Sequence, residues 1–151
     1  MLKSPYAMIG RALEIATKAH QGQKDKAGEE YIKHPMTIAA SLGMEDPYAV
    51  MVALLHDVLE DSSVTKSSLM LYFPKKVVDA VVCLTRKPDE EYMDFIARCS
   101  QNELARKVKI VDLQHNMDLS RLPVVTETDR QRVQKKYIPA LSYLMEHGAE
   151  K

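Results

Sequence analysis

The sequence predicts an all-α domain, and three features carry that expectation. Apolar residues recur at three- and four-residue spacing along most of the chain. A capping side chain followed directly by proline, the signal of a helix start, occurs twice, at Ser4-Pro5 and Asp46-Pro47. No Asn-Gly or Asp-Gly hairpin signal is present, and five glycines with no Trp argue against sandwiches and meanders.

Taken in order, residues 5–20 form a first helix, with Ala12, Ile15, Ala16 and Ala19 on its apolar face. Residues 21–33 are polar, contain two glycines and read as a loop. Pro35 opens a short helix that ends near Gly43. Residues 49–59 are apolar almost all round, which marks a central buried helix stopped by Ser62-Ser63. Thr65 caps a helix running to Phe73, where Pro74 interrupts. Residues 77–85 are β-branched enough for a strand, but their neighbours favour helix. Lys87-Pro88-Asp89 is a turn, and residues 90–99 are helical. Ser100-Gln101-Asn102-Glu103 has the spacing of a capping box and starts a helix through Ile110 to Asn116. Thr126 or Thr128 begins a last amphipathic helix, with Gly148 as the C′ residue after His147 and a solvated charged face at residues 129–136. With no repeat and no linker, residues 1–151 read as one domain.

Composition narrows the function. Lys plus Arg is 21 and Asp plus Glu is 21, and 21 − 21 = 0, a poor balance for non-specific nucleic-acid binding. No apolar run reaches the roughly 18 residues of a membrane helix. Residues 1–5 contain no leader-like apolar stretch. Cys83 and Cys99 make no disulfide framework; they read as small core residues of a cytoplasmic protein.

One helix carries polar groups that a core does not tolerate alone. In Ala53-Leu54-Leu55-His56-Asp57-Val58-Leu59-Glu60-Asp61, a His-Asp pair sits in apolar sequence. A buried carboxylate needs a compensating cation, basic side chain or metal. Glu60 follows His56 by four residues and Asp61 follows Asp57 by four, so the acids lie one turn further along the same face. For Glu60 and Asp61 alone, the plain alternative is a solvated helix end. His34, before Pro35, alone reads as a surface or cap residue. Asp112, with Asn116 four residues on, equally suits a salt bridge to Lys or Arg. Together His34, His56, Asp57 and Asp112 offer two nitrogens and two oxygens, a set that suits Mn²⁺ or Fe²⁺ better than structural zinc or Mg²⁺.

These strings resemble a known family. Ala19-His20-Gln21-Gly22-Gln23, Gly28-Glu29, Tyr31-Ile32-Lys33-His34-Pro35, the segment from Ala53 to Asp61, and Lys109-Ile110-Val111-Asp112-Leu113-Gln114-His115-Asn116-Met117 are similar to the motifs of the RelA/SpoT hydrolase domain, a member of the HD-domain metal-dependent phosphohydrolases. The resemblance covers roughly residues 12–122. It implies an HD-type helical bundle of about seven to nine helices, in a small hydrolase-only member. The implied activity removes pyrophosphate from the ribose 3′ position of (p)ppGpp with Mn²⁺, with a small-molecule nucleotide as substrate and neither nucleic acid nor membrane as partner. By position it implies His34, His56, Asp57 and Asp112 as metal ligands. Glu60 and Asp61 would orient and deprotonate the attacking water, and Asn116 and Lys26 would contact substrate. The sequence departs from the pattern where the family carries a loop Arg, here Asp25, and where Arg-Thr follows the Asn-Met pair, here Asp118-Leu119. Both are nucleotide-recognition positions, and Lys24 is the candidate to replace the missing Arg. An HD phosphohydrolase of another nucleotide or phosphoester, and a non-catalytic nucleotide-binding module, stay open as alternatives.

Overall fold

Ser4 accepts a hydrogen bond from the Tyr6 amide and Pro5 takes the first helical position, so α1 (Pro5–Ala19) starts at its capping signal. The computed structural model describes residues 4–148; Met1 to Lys3, part of the stretch read for a leader, lie outside the described residues. After α1 come α2 (Lys33–Leu42), α3 (Pro47–Leu55), α4 (Val58–Asp61), α5 (Lys66–Met70), α6 (Lys75–Cys83), α7 (Tyr92–Ser100), α8 (Glu103–Met117), α9 (Glu127–Arg132) and α10 (Ile138–Glu146). A 3₁₀ turn at Leu119–Arg121 follows α8, and a π turn at Val133–Tyr137 joins α9 to α10. Among the described residues the only β pairing is a bridge between Lys24 and Glu30. The fold is all-α. No helix among the described residues is long and apolar enough to cross a membrane.

The core is built around α3. Residues 49–55 are all buried, none more than 4% exposed, because α1, α2, α6 and α8 pack around them. Each Val, Leu or Met buried there contributes about 1.5–3 kcal/mol. The ambiguous segment 77–85 is helical for the same reason. Val77, Val78, Ala80 and Val81 face the core while Lys75 and Lys76 face solvent, a spacing only a helix satisfies.

Several elements differ from the sequence reading. The central helix is not continuous through residue 59: it stops at Leu55, and α4 restarts at Val58. The His56 ring donates from Nδ1 to the Ala53 carbonyl (2.6 Å), taking an acceptor that an α-helix offers to the Asp57 amide. Asp57 then sits at φ −107°, ψ −1°, off helical values. The hydrogen bond from the Asp61 amide to the Asp57 carbonyl (3.0 Å) carries the four-residue spacing across the break.

The expected capping box at 100–103 does not form. Ser100 is the last residue of α7 and its hydroxyl donates to the Ala97 carbonyl, so Asn102 caps α8 instead, accepting from the Ala105 amide (3.0 Å). Thr126, rather than Thr128, caps α9, in a reciprocal box with Asp129. Gly148 follows the C-cap His147, as expected, but without a positive φ. The end of α10 is met instead by the Arg106 guanidinium, which donates to the Leu144 and His147 carbonyls.

Candidate metal and nucleotide site

The loop at residues 20–32, the start of α2, the α3–α4 break, the C-terminal half of α8, the 3₁₀ turn and α9 with its π turn converge on one cavity of about 400 Å³. The loop is a tight hairpin. Asp25 Oδ1 accepts from the Ala27 and Glu29 amides (2.9 Å each), and the Gly28 amide reaches back to the Asp25 carbonyl. Gly28 sits at φ +82°, a conformation that costs other residues steric strain. This staple holds Lys24 and Lys26 against the cavity. Gln23 ties the loop to the rest of the site: its amide nitrogen donates to the Asp61 carbonyl (2.9 Å) and its oxygen contacts His20 Nδ1.

The four expected ligands meet. His34, His56 and Asp57 each place a ligand atom within 4.8 Å of the others. Asp112 Oδ1 is 2.9 Å from His34 Nε2 and 3.7 Å from His56 Nε2. His34, His56 and Asp112 are buried, and Asp57 is nearly so. The salt-bridge alternative for Asp112 is also realised, because Lys109 Nζ contacts its Oδ2 at 2.8 Å. The two readings coexist, since a carboxylate has two oxygens.

The decisive atom is His56 Nε2. With Nδ1–H given to Ala53, a neutral ring points its Nε2 lone pair at Asp57 Oδ2 (3.0 Å) and Asp112 Oδ1 (3.7 Å). Neither contact is aligned as a hydrogen bond, so this buried nitrogen is unpartnered among the described residues. A lone pair facing two carboxylates is repulsive unless a proton or a cation lies between them. A divalent cation therefore fits this donor set.

The electrostatics agree. Burial pushes Asp57 up, but His56 and the Tyr31 hydroxyl, which donates to Oδ2, outweigh it and hold the carboxyl down at about 2. Burial lowers His56, yet Asp57 and Asp112 raise it well above its ordinary value. Burial raises Asp112, but Lys109 and the two imidazoles keep it well below the carboxylate range. Burial, then the charge of Asp57, raises both Glu60 and Asp61.

Of the remaining expected residues, Lys24, Lys26 and Asn116 line the cavity, and Asn116 Nδ2 donates to Asp112 Oδ1 (3.3 Å). Glu60 and Asp61 do not line it; they are exposed on α4, one turn past Asp57. Asp25 and Leu119, the two departures from the family pattern, do line it.

Sequence reasoning missed Tyr31, Lys109, Arg121, Arg132 and Tyr137, which line the cavity too. Tyr31 and Lys109 lay inside quoted motif strings, so their signal was present. The stretch 129–136 is only in part the solvated face expected: Arg130, Gln131, Gln134 and Lys135 are exposed, but Asp129 and Arg132 line the cavity. On an α-helix, residues 132 and 137 diverge by about 140°. The wider π turn between them brings both side chains to the one cavity.

Comparison with known proteins places this geometry among relatives. The family model described as HD domain matches residues 12–111. A guanosine-3′,5′-bis(diphosphate) 3′-pyrophosphohydrolase of Aquifex aeolicus is 32% identical over 139 residues, 85% of this chain and 20% of its own length. One of Haemophilus influenzae is 36% identical over 116 residues, 68% of this chain and 17% of that protein. A GTP pyrophosphokinase of Myxococcus xanthus is 32% identical over 126 residues, 73% of this chain and 17% of its length. The chain thus spans a fifth or less of these curated relatives. A solved structure described as "A metazoan ortholog of SpoT hydrolyzes ppGpp and plays a role in starvation responses" superposes with a TM-score of 0.75 at 21% identity, covering 98% of this chain and 91% of that one. At that identity the likeness speaks for the fold.

Proposed function

This chain belongs to the HD-domain family, and on that premise we propose that it is a metal-dependent phosphohydrolase that removes the 3′-pyrophosphate of (p)ppGpp by attack of water. The observation that carries the reading is the unpartnered His56 Nε2 between Asp57 and Asp112, at a cavity also lined by Lys24 and Lys26. His34, His56, Asp57 and Asp112 are the residues that would hold the ion, with Mn²⁺ the metal that suits two imidazoles and two carboxylates. When bound, the ion neutralises charge on the phosphoryl oxygens and acidifies the attacking water.

The chain's own groups do the rest. Tyr31 holds Asp57 by donating to Oδ2, the oxygen that also faces His56, and Lys109 holds Asp112 by Oδ2, the oxygen turned away from the imidazoles. Lys24, Lys26 and Asn116 bind and orient the nucleotide. Glu60 and Asp61, whose raised proton affinities suit an acceptor, take the proton from water as its oxygen bonds to phosphorus. The bond from phosphorus to the ribose 3′-oxygen breaks, and that oxygen takes up the proton the carboxylate accepted from water.

The relatives that support this substrate are the pyrophosphohydrolases of A. aeolicus and H. influenzae. A second reading, hydrolysis of another nucleotide or phosphoester at the same centre, is favoured by Asp25 and Leu119 at the cavity. The test is pyrophosphate release from ppGpp with Mn²⁺, run beside GTP and deoxynucleotide monophosphates. Release from ppGpp by the native chain, lost in Asp57→Ala and Glu60→Ala, is the expected result. No release from folded, metal-loaded protein overturns the alarmone assignment, and turnover of another substrate moves it there.

A further inference from the structure

Five cationic side chains line the cavity, and three of them pair with carboxylates. Lys109 is held by Asp112 at 2.8 Å, and Lys26 and Arg132 share Asp129 at 3.7 and 3.8 Å. Lys24 is exposed on the loop. Arg121 differs from all of these. Its nearest carboxylate, Asp25 Oδ2, is 4.0 Å from Nη1, the limit of an ion pair, and its Nε is buried with no acceptor among the described residues. A buried charged donor left unmade is costly, so such a group is conspicuous.

Its surroundings present it. Asp118 Oδ1 accepts from the Ser120 amide (3.1 Å) and starts the 3₁₀ turn Leu119–Arg121, which the Leu122 amide closes on the Leu119 carbonyl (3.1 Å). Across from it, Asp25 spends Oδ1 on its own loop and turns only Oδ2 toward the guanidinium. Arg121 is thus steered but not neutralised, with a planar fork of donors at a cavity that Lys24 and Lys26 also line. A guanidinium matches the paired oxygens of a phosphate in geometry and charge.

We propose that Arg121 recognises a phosphate of the nucleotide other than the one hydrolysed, with Asp25 as the counter-charge it leaves when substrate arrives. This rests on the reading of the cavity as a nucleotide site. It makes Arg121 a specificity residue that selects nucleoside polyphosphates over nucleosides.

The test is calorimetric titration of the Mn²⁺-loaded chain with GDP and with guanosine. Arg121→Gln is expected to weaken GDP about tenfold or more, the size of one lost charged hydrogen bond, and to leave guanosine within twofold. Arg130→Gln, an exposed guanidinium paired with Glu127 outside the cavity lining, is expected to change neither. Asp25→Asn keeps an Oδ1 acceptor for the loop and removes the competing charge, so GDP is expected to tighten. GDP binding unchanged in Arg121→Gln, or GDP and guanosine lost in equal measure, overturns the proposal. So does a wild type that binds GDP no better than guanosine. Should Arg121→Gln not fold, Asp25→Asn decides: tighter GDP supports the role and unchanged GDP overturns it. Absence of ppGpp turnover alongside the expected GDP pattern would sink the hydrolase assignment and leave this one standing.

Discussion

Replacing Lys109 with Met isolates the charge balance of the site, because Met keeps most of the apolar stem and removes only the ammonium. Lys109 Nζ is 2.8 Å from Asp112 Oδ2, and the pair is buried, with side-chain exposures of 14% and 5%. At an effective dielectric near 20 that contact is worth about 6 kcal/mol of raw attraction. Asp112 retains His34 and, further off, His56, so the net loss falls at the low end of broken buried pairs, about 3 kcal/mol. Without metal, Asp57 and Asp112 are balanced by protonated His56 and Lys109, and the variant is left with one uncompensated negative charge. With a divalent cation the same count runs from +1 to 0, which favours the variant.

Urea unfolding followed by circular dichroism, in chelator and in saturating Mn²⁺, reads both states. In chelator the variant is expected to lose about 3 kcal/mol, roughly 6–12 °C in Tm for a chain of this size. With Mn²⁺ the loss is expected to shrink to about 1 kcal/mol, equivalent by linkage to about 30-fold tighter metal binding. A loss of the same size in both conditions refutes the charge argument. A loss below about 1 kcal/mol in chelator refutes the claim that Asp112 depends on Lys109.

Three further outcomes are expected. His56→Asn and His34→Ala remove ligand nitrogens, so the rise in Tm on adding Mn²⁺ should vanish in both; persistence of the rise in His56→Asn would place the ion elsewhere. Gly28→Ala meets no neighbouring atom but must hold φ +82°, which costs about 1 kcal/mol, roughly 3 °C in Tm; an unchanged Tm would show that the loop relaxes freely. Glu90 is held at about 2, chiefly by its bidentate hydrogen bonds to Arg98. A carboxyl depressed on folding stabilises above its unfolded value near 4.5, and that contribution drains away as pH falls from there toward 2. Stability measured across that window should therefore fall less steeply in Glu90→Gln than in the native chain, and parallel curves would refute the coupling.

Much of this molecule is local in origin, and that part is legible in one dimension. Ser4-Pro5, Asp46-Pro47, Thr65 and Thr126 start helices where they stand because a cap needs only its own next three residues. The run at residues 49–55 is apolar all round, which no surface helix can be, so its central place was readable too. His34, His56, Asp57 and Asp112 stood out as polar groups in apolar or motif context, and the structure brings the four together.

Other features are decided by contacts between distant segments. Whether Ser100 or Asn102 caps α8 depends on where α7 ends against the core. Helical phase could not show that Gly148 would be relieved by Arg106, which lies 42 residues earlier (148 − 106 = 42). The π turn brought Arg132, expected on a solvated face, and Tyr137 together at the cavity, because one widened turn resets the phase of everything on it. The pairing of Asp25 with Arg121 joins positions whose spacing carries no periodic signal. The sequence by itself determined the helices, their buried faces and the chemistry of the donor set, since these depend on side-chain type and short spacing. Only the tertiary structure decided which cations remain free at the cavity, because charge compensation depends on which groups the packed chain leaves within about 4 Å of one another.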